Sequence, residues 1–219
     1  MRFCYHPEAG APQLRVEGER FVHLFKARRH RSGEALAFRN LGDRYRYDYQ
    51  IAQIDRRRAE LTLLSAQEDP AIASGPAHLA WCVVDPKVIE RTLPMLNELG
   101  LKRLSLIWCA KSQRNFRLDA DRMARIVIAS CEQCGRSDPM VIESMDYGAF
   151  KSAHTLAWLA PGGAPLSRSA LADRVLLIGP EGGFASEEVA KEPVFGLGAE
   201  QILRSETAIV AAAGQLLIG

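Results

Sequence analysis

Short apolar runs alternate with amphipathic helical patterns from residue 79 onward, and this alternation restricts the fold more than any other feature of the chain. The apolar runs occupy residues 79–84, 104–108, 140–143, 155–159, 174–178 and 201–203, and the helical patterns cover residues 85–100, 119–134, 146–152, 186–191 and a last segment from Glu206. Asp85 suits the N-cap of the first helix. Apolar strands joined through helices form a sheet that is buried on both faces. The sequence therefore predicts an α/β domain with a mostly parallel sheet.

The first seventy residues have a different pattern, in which five short β-like runs alternate with turn signals at residues 2–6, 13–16, 35–38, 45–54 and 60–65. Asn40, Gly42 and Asp43 tolerate positive φ and suit a hairpin turn. A helical pattern with one apolar side and a cationic end covers residues 21–31. Residues 66–78 lack periodicity and contain two prolines. We therefore predict a small β-barrel over residues 1–70 and the α/β domain over residues 71–219.

Positive charge is concentrated locally, although the formal net charge of the chain is only +2. Residues 1–70 carry 13 Lys and Arg against 10 Asp and Glu, and residues 102–136 carry 8 against 3. Two such regions fit a polyanion bound along one face, because phosphate contacts need local charge. A solvated charged surface is the alternative. The candidate residues for contacts with such a polyanion are His23, Lys26, Arg28, Arg29, Arg31, Lys111, Arg114 and Gln133.

The five cysteines are odd in number and lie mostly in apolar runs, which argues against a disulfide framework. Reduced cysteines are typical of the cytoplasm. Cys131 and Cys134 form a single Cys-x-x-Cys pair with no second pair of ligands, so we expect no metal. No apolar run approaches the length of a membrane span, and we expect no membrane partner.

A glycine-rich turn follows the apolar run at residues 174–178 and consists of Gly179, Pro180, Glu181, Gly182 and Gly183. Ligands bind beyond the carboxyl ends of parallel strands, where glycines let the backbone approach a ligand closely. No Lys-Ser or Lys-Thr follows, and no Gly-x-Gly-x-x-Gly follows the first strand, which weakens nucleoside triphosphate and dinucleotide interpretations. An ordinary turn between a strand and a helix remains the alternative.

A second turn at Leu197 and Gly198 leads through the run at residues 201–203 to Ser205, which we expect to be the N-cap of the last helix. Arg204 and Glu206 flank that serine at the polar end of the predicted strand. They could form a simple ion pair or contribute to a site.

Together these blocks resemble the ribosomal RNA small subunit methyltransferase E family, whose members methylate N3 of a uridine in 16S rRNA and belong to the knotted SPOUT class. The blocks that carry the resemblance are residues 2–7, His23-Leu24 with Arg28-Arg29, Lys87 followed by Asn97-Glu98-Leu99-Gly100, residues 132–136, residues 178–183 and residues 197–208. The resemblance implies a PUA-like RNA-binding barrel, a deep trefoil knot closed by the last helix, and a homodimer. Periodicity alone would have excluded a knot.

The resemblance also implies that S-adenosylmethionine lies bent in the knot and is held by the backbone of three loops. Carried over to this chain, the cofactor-binding residues are Leu159, Ala160, Pro161, Ile178, Gly179, Pro180, Glu181, Gly182, Gly183, Leu197, Gly198, Ile202, Leu203, Thr207 and Ala208. Uridine N3 carries a proton at neutral pH, so a base or a stabilising cation should lie near the methyl group. The candidates are Arg204, Glu206, Glu132 and Arg136.

We further hypothesise that Arg136 reaches across the dimer to the target nucleotide, and that Gln133 and Arg136 contact a base and a phosphate. The expected partner is 16S rRNA or the small ribosomal subunit. Two other functions stay open: a non-catalytic RNA-binding or ribosome-assembly protein, and a related SPOUT enzyme that methylates tRNA ribose. The glycine turns favour an enzyme, because a protein that binds no cofactor has no need of them.

Overall fold

The computed structural model describes residues 2–69, 77–185, 188 and 192–218, and every structural statement below refers to these residues. The chain divides into two compact units. The first comprises Met1–Ala73 and Cys131–Asp138, and the second comprises Ser74–Ser130 and Pro139–Gly219. Residues 131–138 therefore group with the amino-terminal part of the chain, whereas the sequence places them within the α/β domain. The predicted boundary between residues 70 and 71 lies outside the described residues.

The first unit contains a five-stranded sheet in the order β1-β3-β4-β5-β2. Its strands are β1 (Cys4–Tyr5), β2 (Gln13–Glu17), β3 (Ala35–Arg39), β4 (Tyr45–Ile54) and β5 (Arg58–Glu68). Each of the five predicted β runs is thus a strand. The rings of Phe38 and Tyr49 meet edge to face with centroids 5.6 Å apart. The Tyr49 hydroxyl donates to the carbonyl oxygen of Ala11 at 2.6 Å, so this core tyrosine keeps a hydrogen-bond partner.

The predicted helix at residues 21–31 is shorter than expected and of an unexpected type. Helix α1 (Gly18–Phe21) continues directly into a π-helix (Val22–Ala27), in which the amide of Arg28 donates to the carbonyl oxygen of His23 at 3.1 Å. Leu24 and Phe25 are buried, as the apolar side of the pattern predicted.

The predicted hairpin turn at residues 40–43 is also confirmed, but its positive φ of 58° falls on Leu41 rather than on its polar neighbours.

The second unit is built on a six-stranded sheet in the order β11-β9-β10-β6-β7-β8, and all pairings between neighbouring strands are parallel. The strands are β6 (His78–Cys82), β7 (Arg103–Trp108), β8 (Val141–Asp146), β9 (Leu156–Pro165), β10 (Val175–Ile178) and β11 (Val194–Gly196). The predicted α/β fold with a mostly parallel sheet is therefore confirmed. Its central strands are buried because both faces carry apolar side chains.

The second unit contains the helices α2 (Pro86–Glu98), α3 (Ala120–Cys134), α4 (Tyr147–Ala153), α5 (Arg168–Leu171) and α6 (Ser205–Leu217), except that the last four residues of α3 are grouped with the first unit. The carboxylate of Asp85 accepts from the amide of Lys87 at 2.8 Å, so the predicted N-cap of α2 is confirmed. Helix α6 packs on α2 and on β10. The last helix therefore lies against the centre of the sheet.

The prediction for the last strand of the sheet is wrong. Residues 201–203 form no strand, and the side chain of Ile202 is 87% exposed. The edge strand is instead β11, which has only three residues and so shows no readable periodicity. Of the predicted helix at residues 186–191, only Glu188 belongs to the described residues.

One cysteine pair is bonded, contrary to the prediction of reduced cysteines. A disulfide joins Cys82 and Cys109, whose Cα atoms are 5.7 Å apart. Strands β6 and β7 are neighbours, and Cys82 is paired in register with Ile107, two residues before Cys109. Adjacent parallel strands thus bring together two thiols that are 27 residues apart in the chain.

A half-buried histidine cluster lies at the amino-terminal edge of the parallel sheet. His78 Nε2 is 2.7 Å from Ser105 Oγ, and Ser105 donates to Glu143 at 2.6 Å. Burial lowers the pKa of His78 from 6.5 to about 4, and the nearby His154 adds to this effect. Glu143 raises the pKa of His78, whereas Arg103 lowers it further. The unfolded chain therefore binds this proton first as the pH falls, and stability decreases between about pH 6.5 and pH 4.

Replacement of His78 by glutamine is expected to remove about 2 kcal/mol of the stability loss between pH 7 and pH 5, because glutamine does not titrate. Urea unfolding at the two pH values measures this difference. An H78Q chain that loses as much stability in acid as the parent chain would contradict the assignment.

Candidate active site

Strands β6 and β10 lie side by side at the point where the chain order of the sheet reverses. The strands β7 and β8 continue on one side, and β9 and β11 on the other. A crevice forms outside the carboxyl ends of the strands at such a reversal and is the usual ligand site of open α/β sheets. We therefore expect the functional site among the residues that follow β6 and β10.

The hydroxyl of Ser205 joins three elements at this position. Ser205 Oγ donates to the carbonyl oxygen of Gly179 at 2.5 Å and accepts from Trp81 Nε1 at 2.7 Å. Trp81 belongs to β6, Gly179 follows β10, and Ser205 begins α6. The expectation that Ser205 is the N-cap is wrong, because Arg204 holds that position and the serine hydroxyl makes no cap hydrogen bond. A fully buried indole N–H needs an acceptor, and Ser205 supplies it.

Removal of the Ser205 hydroxyl is expected to lower the free energy of unfolding by about 2 kcal/mol, since Ser205→Ala leaves the buried Trp81 donor unsatisfied. Chemical unfolding measures the loss. A second variant, W81F in the S205A background, should show a coupling of at least about 0.5 kcal/mol between the two residues. Additive losses would contradict the hydrogen bond. The control substitution is Ser152→Ala, which removes a hydroxyl from an exposed position of α4.

The glycine-rich turn after β10 forms as predicted. The amide of Gly183 donates to the carbonyl oxygen of Pro180 at 2.8 Å, and Gly183 has a φ of +67° that favours glycine. A Cβ on Gly179 would lie 3.1 Å from the ring of Phe184, which itself packs edge-on against Trp158. Glu181 and Gly182 are exposed. The turn therefore presents backbone to solvent on a well-packed base.

A buried carboxylate connects this turn to the loop after β7. Glu188 is 4% exposed, and its two oxygens accept from the amides of Ala110 and Ala185, each at 2.8 Å. Lys111 Nζ also donates to the carbonyl oxygen of Gly182 at 2.9 Å. Sequence reasoning missed this role of Glu188 and assigned Lys111 to RNA alone. An acidic residue early in a predicted helix gives no sign that it binds amides of another loop.

The first predicted cofactor loop is not a loop. Leu159, Ala160 and Pro161 lie inside β9, which continues to Pro165 instead of ending at residue 159. The strand continues because β11 pairs with it, and this pairing depends on a close approach of backbones at Gly163. A Cβ at Gly163 would lie 2.6 Å from the carbonyl oxygen of Phe195 and 2.8 Å from the nitrogen of Gly196.

The remaining predicted cofactor residues surround the same end of the sheet. Ile178 is buried at the end of β10, while Gly198 follows β11 with a φ of +70°. Leu197, Leu203 and Ala208 are half-buried, and Ile202 and Thr207 are exposed. Arg204 is exposed at the N-cap of α6, and half-buried Glu206 lies in its first turn, 3.7 Å from Arg91. Arg204 and Glu206 are thus brought together next to Ser205.

The other two catalytic candidates belong to the first unit. Glu132 is 7% exposed, accepts from the amide of Tyr5 at 2.6 Å, and forms an ion pair with Arg20. Arg136 is 3% exposed, and its Nε donates to the carbonyl oxygen of Asp138 at 2.5 Å. To reach across a dimer, as hypothesised, Arg136 would have to leave these contacts.

The predicted RNA-binding residues are exposed on both units. The first unit carries His23, Lys26, Arg28, Arg29, Arg31 and Gln133, and the second carries Lys111 and Arg114. Within the described part of the chain, no cluster of three or more His, Cys, Asp or Glu side chains could hold a metal ion. No helix in the same residues has the length and apolar character needed to cross a bilayer.

Comparisons with known proteins agree with this geometry. A family model described as an RNA methyltransferase domain matches residues 73–217. Two proteins of Helicobacter pylori, from strains J99 and 26695, are 38% and 39% identical over 218 residues and 96% of each chain; both are named ribosomal RNA small subunit methyltransferase E. A Neisseria gonorrhoeae structure of that name, bound to S-adenosylmethionine, has a TM-score of 0.73 at 25% identity and covers 98% of this chain and 95% of its own. A Legionella pneumophila structure shares the fold, with a TM-score of 0.81 at 24% identity over 97% of this chain and 95% of its own.

Proposed function

Since the chain belongs to the ribosomal RNA small subunit methyltransferase E family, we propose that it transfers a methyl group from S-adenosylmethionine to N3 of a uridine in 16S rRNA. One observation carries this proposal: the glycine turn after β10 and the start of α6 meet at the reversal of the sheet, joined through Ser205. The proposed substrate is the rRNA itself or the small ribosomal subunit. Either places the protein in the cytoplasm.

The backbone at this position fits a bent cofactor. Gly183 and Gly198 leave backbone atoms free of side chains, and the exposed side chain of Ile202 offers an apolar wall for an adenine ring. Residues 178–183, 197–198, 202–203 and 207–208 would hold the cofactor, with Leu159, Ala160 and Pro161 contributing from within β9. When bound, S-adenosylmethionine supplies an electrophilic methyl group.

The chain's own residues then have two tasks, which are to orient the uridine and to manage its N3 proton. Arg204 is exposed at the N-cap of α6, and its cation would stabilise the deprotonated base. Glu206 lies two residues further on, and its half-buried carboxylate would accept the proton from N3. We favour this pair over Glu132 and Arg136, because those two side chains are buried in contacts of the first unit.

The proposal includes the trefoil knot. Strand β11 is the edge of the sheet, yet Ser205, nine residues after its end, contacts the ends of β10 and β6 on the far side of β9. The chain must pass over the end of β9 to make these contacts, and such a return path supports a threaded loop. We also propose that the first unit closes into a PUA-like RNA-binding barrel and that the protein acts as a homodimer.

The test is a methylation assay followed by mass spectrometry of the digested nucleosides. The purified protein is incubated with S-adenosylmethionine and one substrate at a time. The three substrates are free 16S rRNA, small subunits that lack the modification, and tRNA. The expected product is 3-methyluridine from one of the first two substrates. A 2′-O-methylated nucleoside from tRNA would favour the related tRNA enzyme, and no methylation despite RNA binding would favour an assembly protein.

A further inference from the structure

The first unit contains a cavity of about 740 Å³ that the proposed methyl transfer does not use. It lies between the helical segment of α1 and the π-helix on one side and the turn that connects β4 to β5 on the other. Phe21, Val22 and Ala27 contribute apolar surface, and Lys26, Arg56 and Arg57 contribute cations. This volume lies within the range of protein sites for small ligands.

One acidic residue, Glu19, lines this cavity together with its cations, but it forms no ion pair with them within the described residues. Arg56 and Arg57 are exposed, and neither makes an ion pair within the described residues. The next residue, Arg58, differs, because it pairs with Asp55 and Glu60. Unpaired cations beside a cavity attract an anionic ligand, and phosphate groups suit arginine in particular.

The walls of the cavity are apolar although they face solvent. Val22 is 55% exposed. Phe21 lies at the base, with Lys26 Nζ 5.4 Å from the centroid of its ring. An apolar cavity with a cationic rim is complementary to a flat ring that is attached to phosphate, as in a nucleotide.

The backbone beside the cavity adopts two uncommon conformations. The wall residues Val22, Lys26 and Ala27 belong to the π-helix, a rare form that is frequent at functional sites. Arg29, just beyond it, has a φ of 60°, a strained value for a residue with a side chain. The chain maintains these unfavourable conformations next to a cavity with no assigned role.

We infer that this cavity binds one unpaired nucleotide of the RNA substrate, with its base between the apolar walls and its phosphates on Arg56, Arg57 and Lys26. The inference rests on the proposed function insofar as the substrate is RNA, but it assigns a second binding site and two residues that the charge pattern did not single out. Paired RNA keeps its bases stacked inside the helix, so a concave apolar site is useful only for a base that is turned outward.

The test separates the cavity from a general basic surface. Ala27→Trp fills the cavity without changing charge, and Arg57→Glu reverses one rim charge; Arg44→Glu, an exposed arginine in another turn of the same unit, is the matched charge control. Fluorescence anisotropy measures binding to a single-stranded RNA of about ten nucleotides and to a duplex of equal length. We expect A27W and R57E each to weaken single-strand binding about tenfold, with R44E close to the parent chain and A27W unchanged toward the duplex.

Two outcomes would overturn the inference. A27W could bind the single strand as the parent chain does, or R44E could lose as much affinity as R57E, and either result would leave only a charged surface. Calorimetry with S-adenosylmethionine is run on the same preparations and does not depend on the cavity. Failure of cofactor binding in the parent chain would remove the proposed methyl transfer, whereas normal cofactor binding with an unaffected A27W would remove the cavity site alone.

Discussion

Replacement of Arg204 by alanine is expected to lower the rate of methyl transfer about a hundredfold, because one cation that stabilises developing negative charge contributes about that much. The affinity for S-adenosylmethionine should stay within about twofold, since the proposed cradle consists of backbone atoms. Single-turnover transfer of a labelled methyl group measures the rate, and calorimetry measures the affinity. Glu206→Gln should lower the rate as well, because glutamine cannot accept the proton from N3.

A matched control for Arg204 is available on another helix. Arg125 lies exposed on α3 and makes no ion pair within the described residues, so R125A removes the same charge without touching the site. Arg204→Lys should restore part of the rate, because it keeps the charge but loses the planar donor geometry. An R204A enzyme as active as R125A, or a rate loss matched by weaker cofactor binding, would remove Arg204 from the chemistry.

The second large effect is expected at Gly163, where Gly163→Ala should lower the free energy of unfolding by about 3 kcal/mol. The added Cβ would lie 2.6 Å from the carbonyl oxygen of Phe195 and 2.8 Å from the nitrogen of Gly196. Both atoms belong to the backbone of β11, so the strand has to move away from β9. Urea unfolding measures the loss, and weaker cofactor binding should accompany it because Leu197 and Gly198 follow β11 directly.

Gly148 provides the opposite case within the same unit. It lies in α4, and nothing lies within 4 Å of a Cβ built on it. Gly148→Ala should therefore stabilise the chain by roughly 0.5–1 kcal/mol through helix propensity. A G163A chain that is as stable as the parent would show that β9 and β11 do not need their close approach.

The parts of the site that sequence reasoning predicted are those with a local pattern. The turn at residues 179–183 stands out because a buried apolar run precedes it and glycines fill it. The alternation of apolar runs and helices likewise predicted the parallel sheet. In both cases neighbouring residues in the chain carry the whole signal.

The missing parts depend on contacts between distant residues. Trp81 and Ser205 are 124 residues apart, and Ala110 and Glu188 are 78 residues apart. No local sequence pattern can therefore predict either hydrogen bond. Strand β11 was missed because three residues show no periodicity. The disulfide between Cys82 and Cys109 depends on which strands are neighbours, and that order cannot be read from composition.

The hydrogen bonds of Ser205 also determine when this part of the fold can form in a chain that is still being synthesised. Strands β6 and β10 are synthesised before the serine that connects them, which stands at position 205, after every strand of the sheet. In a nascent chain that ends before Ser205, the carbonyl oxygen of Gly179 therefore lacks its serine donor, and the indole N–H of Trp81 lacks its acceptor. These two hydrogen bonds cannot form until Ser205 has left the ribosomal tunnel, so a chain that is still being synthesised lacks the contacts that join the glycine turn to β6.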